Sequence, residues 1–339
     1  MIATPSSVDR FVGCLIGQCL GDALGFVVEG HAPPVCRAYV DDFLRAGKAG
    51  RHARAPFPFG QYSDDSQLAR ELLSSFVECR RFEPADYAGR VAAIFAEARI
   101  VGRGRATEAA ARRLAAGVPW DQAGTPPPQA GNGSAMRAGP AGLIAAAADS
   151  ETLVRLAHDQ GRITHADRRC SAGAVAVAGS VWRALQAEPA DASSWLDWLA
   201  ELSRPFDQSF ADGVDSLAGW LELPPETAVA EIARVGVEPG FSDRWHGISP
   251  FVTPSVLWSL YAFFRSPDDY WETICTAIAV GGDVDTTAAM AGAISGAYNG
   301  AAAVPSDLAG RLTDQGTWGH DALVALALSA HRLATGADG

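Results

Sequence analysis

An all-α fold, a compact bundle of many helices, is what this sequence predicts, and three observations carry that expectation. Apolar residues recur at helical spacing rather than in alternation, and alanine-rich stretches are divided by glycine, proline and charge. Of the 339 residues, 48% are hydrophobic, enough to bury a sizeable core. No composition shift marks a linker and no solenoid repeat is evident, so one domain over 1–334 is expected, followed by a flexible tail at 335–339.

The first helix carries Gly13, Gly17, Gly21 and Gly25, four residues apart and therefore on one face. Each glycine destabilises an isolated helix by about 1 kcal/mol relative to alanine, so the stripe needs a packing reason, and close approach of another helix is the expected one. A membrane reading fails on length, because the apolar run from Phe11 to Leu20 meets Asp22 well short of the roughly 20 residues a span needs.

Segment 31–62, with Pro33 and Pro34, is expected to be irregular. From Gln67 to Val77 the residues Leu68, Leu72, Leu73, Phe76 and Val77 keep helical spacing, and similar patterns predict helices over 86–98 and 107–116. Thr125-Pro126-Pro127-Pro128 cannot continue a helix, so 118–133 is expected to be irregular as far as Gly131-Asn132-Gly133-Ser134, which is expected to open the next helix. Helices over 169–186 and 254–264 flank a third irregular stretch at 236–253. Gly292, Gly296 and Gly300 form a second stripe, and a helix over 319–334 completes the bundle. Long ordered loops of this kind are where sites concentrate.

A net charge of −12 and a pI near 5.0 argue against a general electrostatic grip on nucleic acid or an anionic membrane surface. The six cysteines include no Cys-x-x-Cys pair, which disfavours a zinc knot and a disulfide framework and predicts reduced, mostly buried thiols. Met1 to Arg10 lacks the basic region and cleavage site of a signal peptide, so a cytoplasmic protein is expected.

Two acidic clusters carry the chemistry: Ser63-Asp64-Asp65-Ser66 and Gly281-Gly282-Asp283-Val284-Asp285-Thr286-Thr287. From Asp65 to Asp283 is 218 positions, so only a fold that closes its two ends on each other brings them together. Taken singly, either cluster reads as helix capping by Ser63, Asp283 or Asp285. Taken together they hold more carboxylates than capping requires. Adjacent Asp64 and Asp65 diverge by roughly 100° on a helix, so each could face one of two ions. Asp, Ser and Thr oxygens suit magnesium or manganese and poorly suit zinc or copper.

Five motifs then line up in order. Gly21-Asp22-Ala23-Leu24-Gly25 followed by Glu29, Tyr62-Ser63-Asp64-Asp65-Ser66, Gly131-Asn132-Gly133-Ser134-Ala135-Met136-Arg137, Thr164-His165-Ala166-Asp167 and Gly282-Asp283-Val284-Asp285-Thr286 resemble those of the ADP-ribosylglycohydrolase family, which includes the dinitrogenase-reductase-activating glycohydrolases. The resemblance spans residues 11–300. It implies an all-helical orthogonal bundle holding two Mg2+ or Mn2+ ions, with Ser63, Asp64, Asp65, Asp283, Asp285 and Thr286 as metal ligands. The implied reaction is hydrolysis of the N- or O-glycosidic bond between ADP-ribose and a modified target, an arginine linkage being the first guess and ADP-ribose the product. Asp64 or Asp283 would be the base, and Glu29 would gate entry or transfer a proton.

The resemblance also assigns Gly131, Asn132, Gly133, Ser134, Met136 and His165 to the substrate, the glycine loop cradling a pyrophosphate at a helix N-terminus. On residues alone, Gly-Asn-Gly is an ordinary turn, Glu29 a solvated helix-end carboxylate and His165 a packed histidine. Two departures stand out. The family usually has threonine where Ser63 and Ser66 stand, which keeps the oxygen but loses the stiffening methyl. Pro128-Gln129-Ala130 replaces the serine and aromatic residue of some members. A noncatalytic ADP-ribose-binding relative is the alternative function, though such a protein should have lost metal ligands. Asp64-Asp65-Ser66-Gln67-Leu68 lacks the third acid of a terpene cyclase motif, and His158-Asp159 lacks the partners of an HD phosphohydrolase. The expected partner is an ADP-ribosylated protein or other ADP-ribosylated target, met by a monomer.

Overall fold

The computed structural model describes residues 6–186, 190–237 and 244–336. Its regular elements are helices, with isolated β-bridges but no strand among the described residues. The first third of the chain forms α1 (Ser7–Phe26), α2 (Pro33–Tyr39), α3 (Asp64–Cys79), α4 (Pro84–Ala96) and α5 (Arg105–Ala115). The middle forms α6 (Gly139–Ile144), α7 (Ser150–Arg162), α8 (Arg168–Ala184), α9 (Ala192–Ser203), α10 (Gln208–Trp220) and α11 (Pro225–Ile232). The last third forms α12 (Val252–Arg265), α13 (Tyr270–Ala279), α14 (Val284–Asn299), the single turn α15 (Ser306–Ala309) and α16 (His320–Thr335). No helix among the described residues is long and apolar enough to cross a membrane.

The glycine stripes have the packing reason expected of them. Helices α1 and α14 lie against each other backbone to backbone. A Cβ at Gly13 would sit 2.2 Å from the Gly296 carbonyl oxygen, one at Gly17 2.5 Å from that of Gly292, and one at Gly21 2.2 Å from that of Ala288. This contact joins the two ends of the chain. Around it a large apolar cluster gathers Phe11, Leu15, Trp195, Trp258, Phe263 and Ile294, all but excluded from solvent. A smaller cluster of Leu68, Leu72, Tyr87, Val91, Ile94 and Ile163 packs α3 onto α4.

Two expectations are corrected. Segment 31–62 is not irregular throughout, because Pro33 and Pro34 occupy the first positions of α2, where a missing N–H leaves no helical bond unmade; a π-helical turn over Val40–Leu44 follows. Gly131-Asn132-Gly133-Ser134 does not open an α-helix. Asn132–Ser134 form one 3-10 turn, and α6 begins only at Gly139. The turn is held from outside: Asn132 N–H donates to the Pro250 carbonyl (2.9 Å) and Gln160 Nε2 to that of Ser134 (2.9 Å).

Elsewhere the predicted helices stand, with boundaries moved by one to three residues, and 118–133 is irregular apart from that turn. Helices α7, α9, α10, α11 and α13 add to those singled out from the periodicity. Part of the third irregular stretch, 238–243, lies outside the described residues. Of the expected tail, Thr335 ends α16 and Gly336 caps it in the left-handed conformation, while 337–339 lie outside the described residues. Of the cysteines, five are buried and Cys79 partly so, all unpaired.

Candidate metal centre

The start of α3 is held from both sides. Asp22, fully buried in mid-helix on α1, accepts the Ser63 N–H (2.9 and 3.1 Å to its two oxygens) and the Ser66 N–H (3.0 Å). Asp64 N–H donates to the Val101 carbonyl at 2.7 Å. Ser63 is the helix cap, its hydroxyl accepting the Asp65 N–H at 3.4 Å and donating to Asp65 Oδ2 at 2.8 Å. One turn further, Gln67 and Arg70 donate to buried Asp314 at 2.8 and 2.6 Å, tying α3 to the segment before α16.

The start of α14 is held by backbone. Gly282 has φ +90°, and a Cβ there would meet the Ile248 oxygen at 2.0 Å, so this position admits only glycine. Gly282 N–H donates to the His31 carbonyl (2.9 Å) and Asp283 N–H to that of Ile248 (2.8 Å). Asp283 stands at the cap position without a capping bond. Its Oδ2 instead accepts Asn132 Nδ2 at 2.5 Å, whose other contact is Ser255 Oγ at 2.8 Å. Capping therefore accounts for Ser63 but not for Asp283.

The two acidic clusters meet, as the sequence required. One oxygen each from Asp22, Asp65 and Asp285 falls within 4.8 Å of the others, and so does one each from Glu29, Asp283 and Asp285. Asp285 belongs to both groups. Asp64 belongs to neither and lies toward Gly102, where a Cβ would sit 2.5 Å from its Oδ1. Glu29, Asp64, Asp65, Asp283, Asp285 and Thr286 line a cleft of about 320 Å³, while Asp22 lies buried behind it.

Burial raises every one of the five aspartates. The Asp65 carboxyl is pushed up to about 6 and that of Asp283 to about 8, first by burial and then by neighbouring carboxylates. Asp22, Asp64 and Asp285 are raised well above the ordinary range for the same reasons. No lysine or arginine among the described residues pairs with any of the five; Glu29, at the rim, pairs with Arg54. Buried carboxylates crowded in this way call for cations. Asp65 Oδ1, buried and without a hydrogen-bond partner, is a free ligand atom in an all-oxygen set, which fits magnesium or manganese.

Of the residues assigned to substrate, Gly131, Asn132, Gly133, Met136 and His165 line this cleft. Ser134 does not. It is fully buried, its hydroxyl donating to the Cys170 carbonyl at 2.9 Å, so it ties the loop to α8. Sequence reasoning missed Asp22 as a site residue, although an acid within the apolar run of α1 and beside its glycine stripe is itself a signal. Nor did it name Gly102 to Thr107 and Trp245, which complete the cleft wall, as site residues, although the family resemblance extends more weakly over 104–120 and Trp245 falls in the irregular stretch 236–253 expected to discriminate targets.

Comparison with known proteins identifies relatives along nearly the whole chain. The family model described as ADP-ribosylglycohydrolase matches residues 3–338. ADP-ribosylhydrolase ARH3 of Bos taurus is 30% identical over 359 residues, covering 96% of this chain and 93% of its own. An uncharacterized protein of Archaeoglobus fulgidus is 30% identical over 295 residues, covering 85% and 87%. A solved structure described as an ADP-ribosylglycohydrolase-related protein complex superposes with TM-score 0.71 at 27% identity, covering 97% of this chain and 99% of that one.

Proposed function

Because this chain belongs to the ADP-ribosylglycohydrolase family, and so to hydrolases of glycosyl bonds, we propose that it releases ADP-ribose from a modified target in a reaction that depends on two divalent cations, magnesium or manganese. The observation that carries this reading is the pair of carboxylate groups sharing Asp285. Ser63, Asp64, Asp65, Asp283, Asp285 and Thr286 would hold the ions. Asp22 is placed to join one group and Glu29 the other. Bound there, the cations would compensate the aspartates, hold ribose hydroxyls and lower the pKa of a nearby water.

The protein's own groups have separate tasks in this reading. Water oxygen bonds to C1 of the ribose, the bond from C1 to the target's nitrogen or oxygen breaks, and the target leaves with a proton. Asp64 or Asp283, both lining the cleft, takes the proton from the attacking water. The carboxylates favour the positive charge that develops on the ribose ring as the bond breaks. Glu29, partly exposed at the rim, is placed to move a proton at the leaving group or to gate entry. Gly131, Asn132, Gly133, Met136 and His165 form the wall against which ADP-ribose lies, and Ser134 holds that wall in place.

An arginine linkage is the first to assay. The six unpaired cysteines accord with a reducing cytoplasm as the site of action. The test is release of free ADP-ribose from substrates with arginine, serine and nucleic-acid linkages, with and without magnesium or manganese, for wild type, Asp64→Ala and Asp285→Ala. Metal-dependent release lost in both variants is expected. Tight ADP-ribose binding with no release from any substrate would overturn the reading.

A further inference from the structure

Arg137 is a buried cation with no carboxylate partner among the described residues. Its Nε donates to Gln160 Oε1 at 3.0 Å, and one Nη2 donates both to the Gln160 carbonyl and to Thr164 Oγ1, each at 2.8 Å. Thr164 Oγ1 is in turn 2.8 Å from His165 Nδ1. Arg137, Gln160, Thr164 and His165 are all buried. The backbone around Thr164 and His165 is fixed as well, since Thr125 N–H donates to the Thr164 carbonyl (2.8 Å) and Ala166 N–H to that of Thr125 (2.9 Å).

The proton positions follow from what each group can do. Guanidinium only donates, so Thr164 Oγ1 is an acceptor toward Arg137. The threonine hydroxyl has one proton to place, and the only other hydrogen-bonding atom found near it among the described residues is His165 Nδ1. Accepting from an Nδ1–H as well would leave the buried hydroxyl proton unpaired, whereas donating to Nδ1 pairs it, so the favoured arrangement has an Nδ1 that accepts and carries no proton. The proton of the neutral ring is then on Nε2, which lies on the cleft wall beside Gly131 and Gly133.

We propose that Arg137, acting through Thr164, fixes His165 as its neutral Nε2–H tautomer, a standing hydrogen-bond donor that selects for an oxygen or nitrogen acceptor on the bound ligand. A ring free to protonate would instead add charge to the wall. Burial and the nearby Arg137 charge keep this one neutral, holding His165 down at about 3. Arg137 and Thr164 are thus positioning residues for the recognition of ADP-ribose, in which respect the inference rests on the functional reading above.

The test is nitrogen-15 imidazole spectroscopy of the full-length free protein, His165 being identified by the signals lost in His165→Gln. The expected wild-type spectrum shows Nε2 protonated and Nδ1 unprotonated, unchanged from pH 5.5 to 8. Thr164→Val should lose the fixed tautomer and Thr164→Ser, which keeps the hydroxyl, should retain it. ADP-ribose affinity by calorimetry should fall about tenfold in Thr164→Val, the effect of one hydrogen bond, and be restored in Thr164→Ser. A wild-type His165 protonated on Nδ1, or on both nitrogens, would overturn the proposal even if Thr164→Val does not fold. So would equal affinities for the valine and serine variants. Wild type that does not bind ADP-ribose while showing the expected tautomer counts against the functional reading alone, because the spectrum requires no ligand.

Discussion

Adding one methyl group at Gly25 should loosen the metal centre without touching any side chain in it. The Cβ of Gly25→Ala would lie 2.4 Å from the Val284 carbonyl oxygen, 2.5 Å from Asp285 Cα and 2.6 Å from Asp285 N, all backbone atoms. Ordinary contact begins at 3.4 Å, so the first turn of α14 must retreat by about 1 Å. Overpacking of this kind costs roughly 1–3 kcal/mol, against a gain of up to about 1 kcal/mol in helix propensity. A net loss of about 1–2 kcal/mol is expected, read as a fall of several degrees in Tm. Asp285 serves both carboxylate groups, so manganese affinity measured by calorimetry should drop at least about tenfold. Gly89→Ala in α4 is the control, since its Cβ meets nothing within 4 Å. It should raise stability by up to about 1 kcal/mol and leave manganese binding alone. If Gly25→Ala binds manganese and melts like wild type, α1 is not the surface that sets the position of Asp285.

Three further outcomes follow from the site. The raised carboxyls keep protons in the folded protein that the unfolded chain releases, so metal-free stability should fall as pH rises between about 4 and 8. Asp283 alone, raised from 3.8 to about 8, would contribute at most roughly 6 kcal/mol of that fall. Melting in chelator should show the fall, and manganese should restore more at pH 8 than at pH 5; a flat profile would contradict the crowding. Asp314→Ala, which deprives buried Arg70 of its shortest contact, should cost roughly 3 kcal/mol in urea unfolding, and an unchanged midpoint would deny that this pair anchors α3. Asp22→Asn presents at most one acceptor oxygen to the Ser63 and Ser66 N–H groups, and about tenfold weaker manganese binding is expected in the same calorimetry.

What could be read from the sequence was whatever had a local period or a local chemistry. Leu68, Leu72, Leu73 and Phe76 announced α3, and two sets of glycines at four-residue spacing announced a close helix pair. The convergence of Asp65 with Asp285 was legible because capping alone left too many acids unexplained. Other features depend on partners remote in sequence. Nothing in the spacing of Arg70 and Asp314, 244 residues apart, ties one to the other. Pro33-Pro34 is the same dipeptide whether it breaks a helix or begins one. Gly131-Asn132-Gly133-Ser134 gave no sign that Pro250 and Gln160 would hold it as a single 3-10 turn.

The contact between α1 and α14 has a consequence for biosynthesis. A chain emerging from the ribosome presents Asp22, then Ser63 to Asp65, long before Asp283 and Asp285 exist, and early aspartates alone cannot gather the oxygens a hard cation requires. On the proposed reading, cation capture would wait for Asp283 and Asp285, and a product truncated before residue 283 would lack one carboxylate of the first group and two of the second. If the proposed cations bind, their uptake would report that the α14 segment has been made and has folded back onto α1.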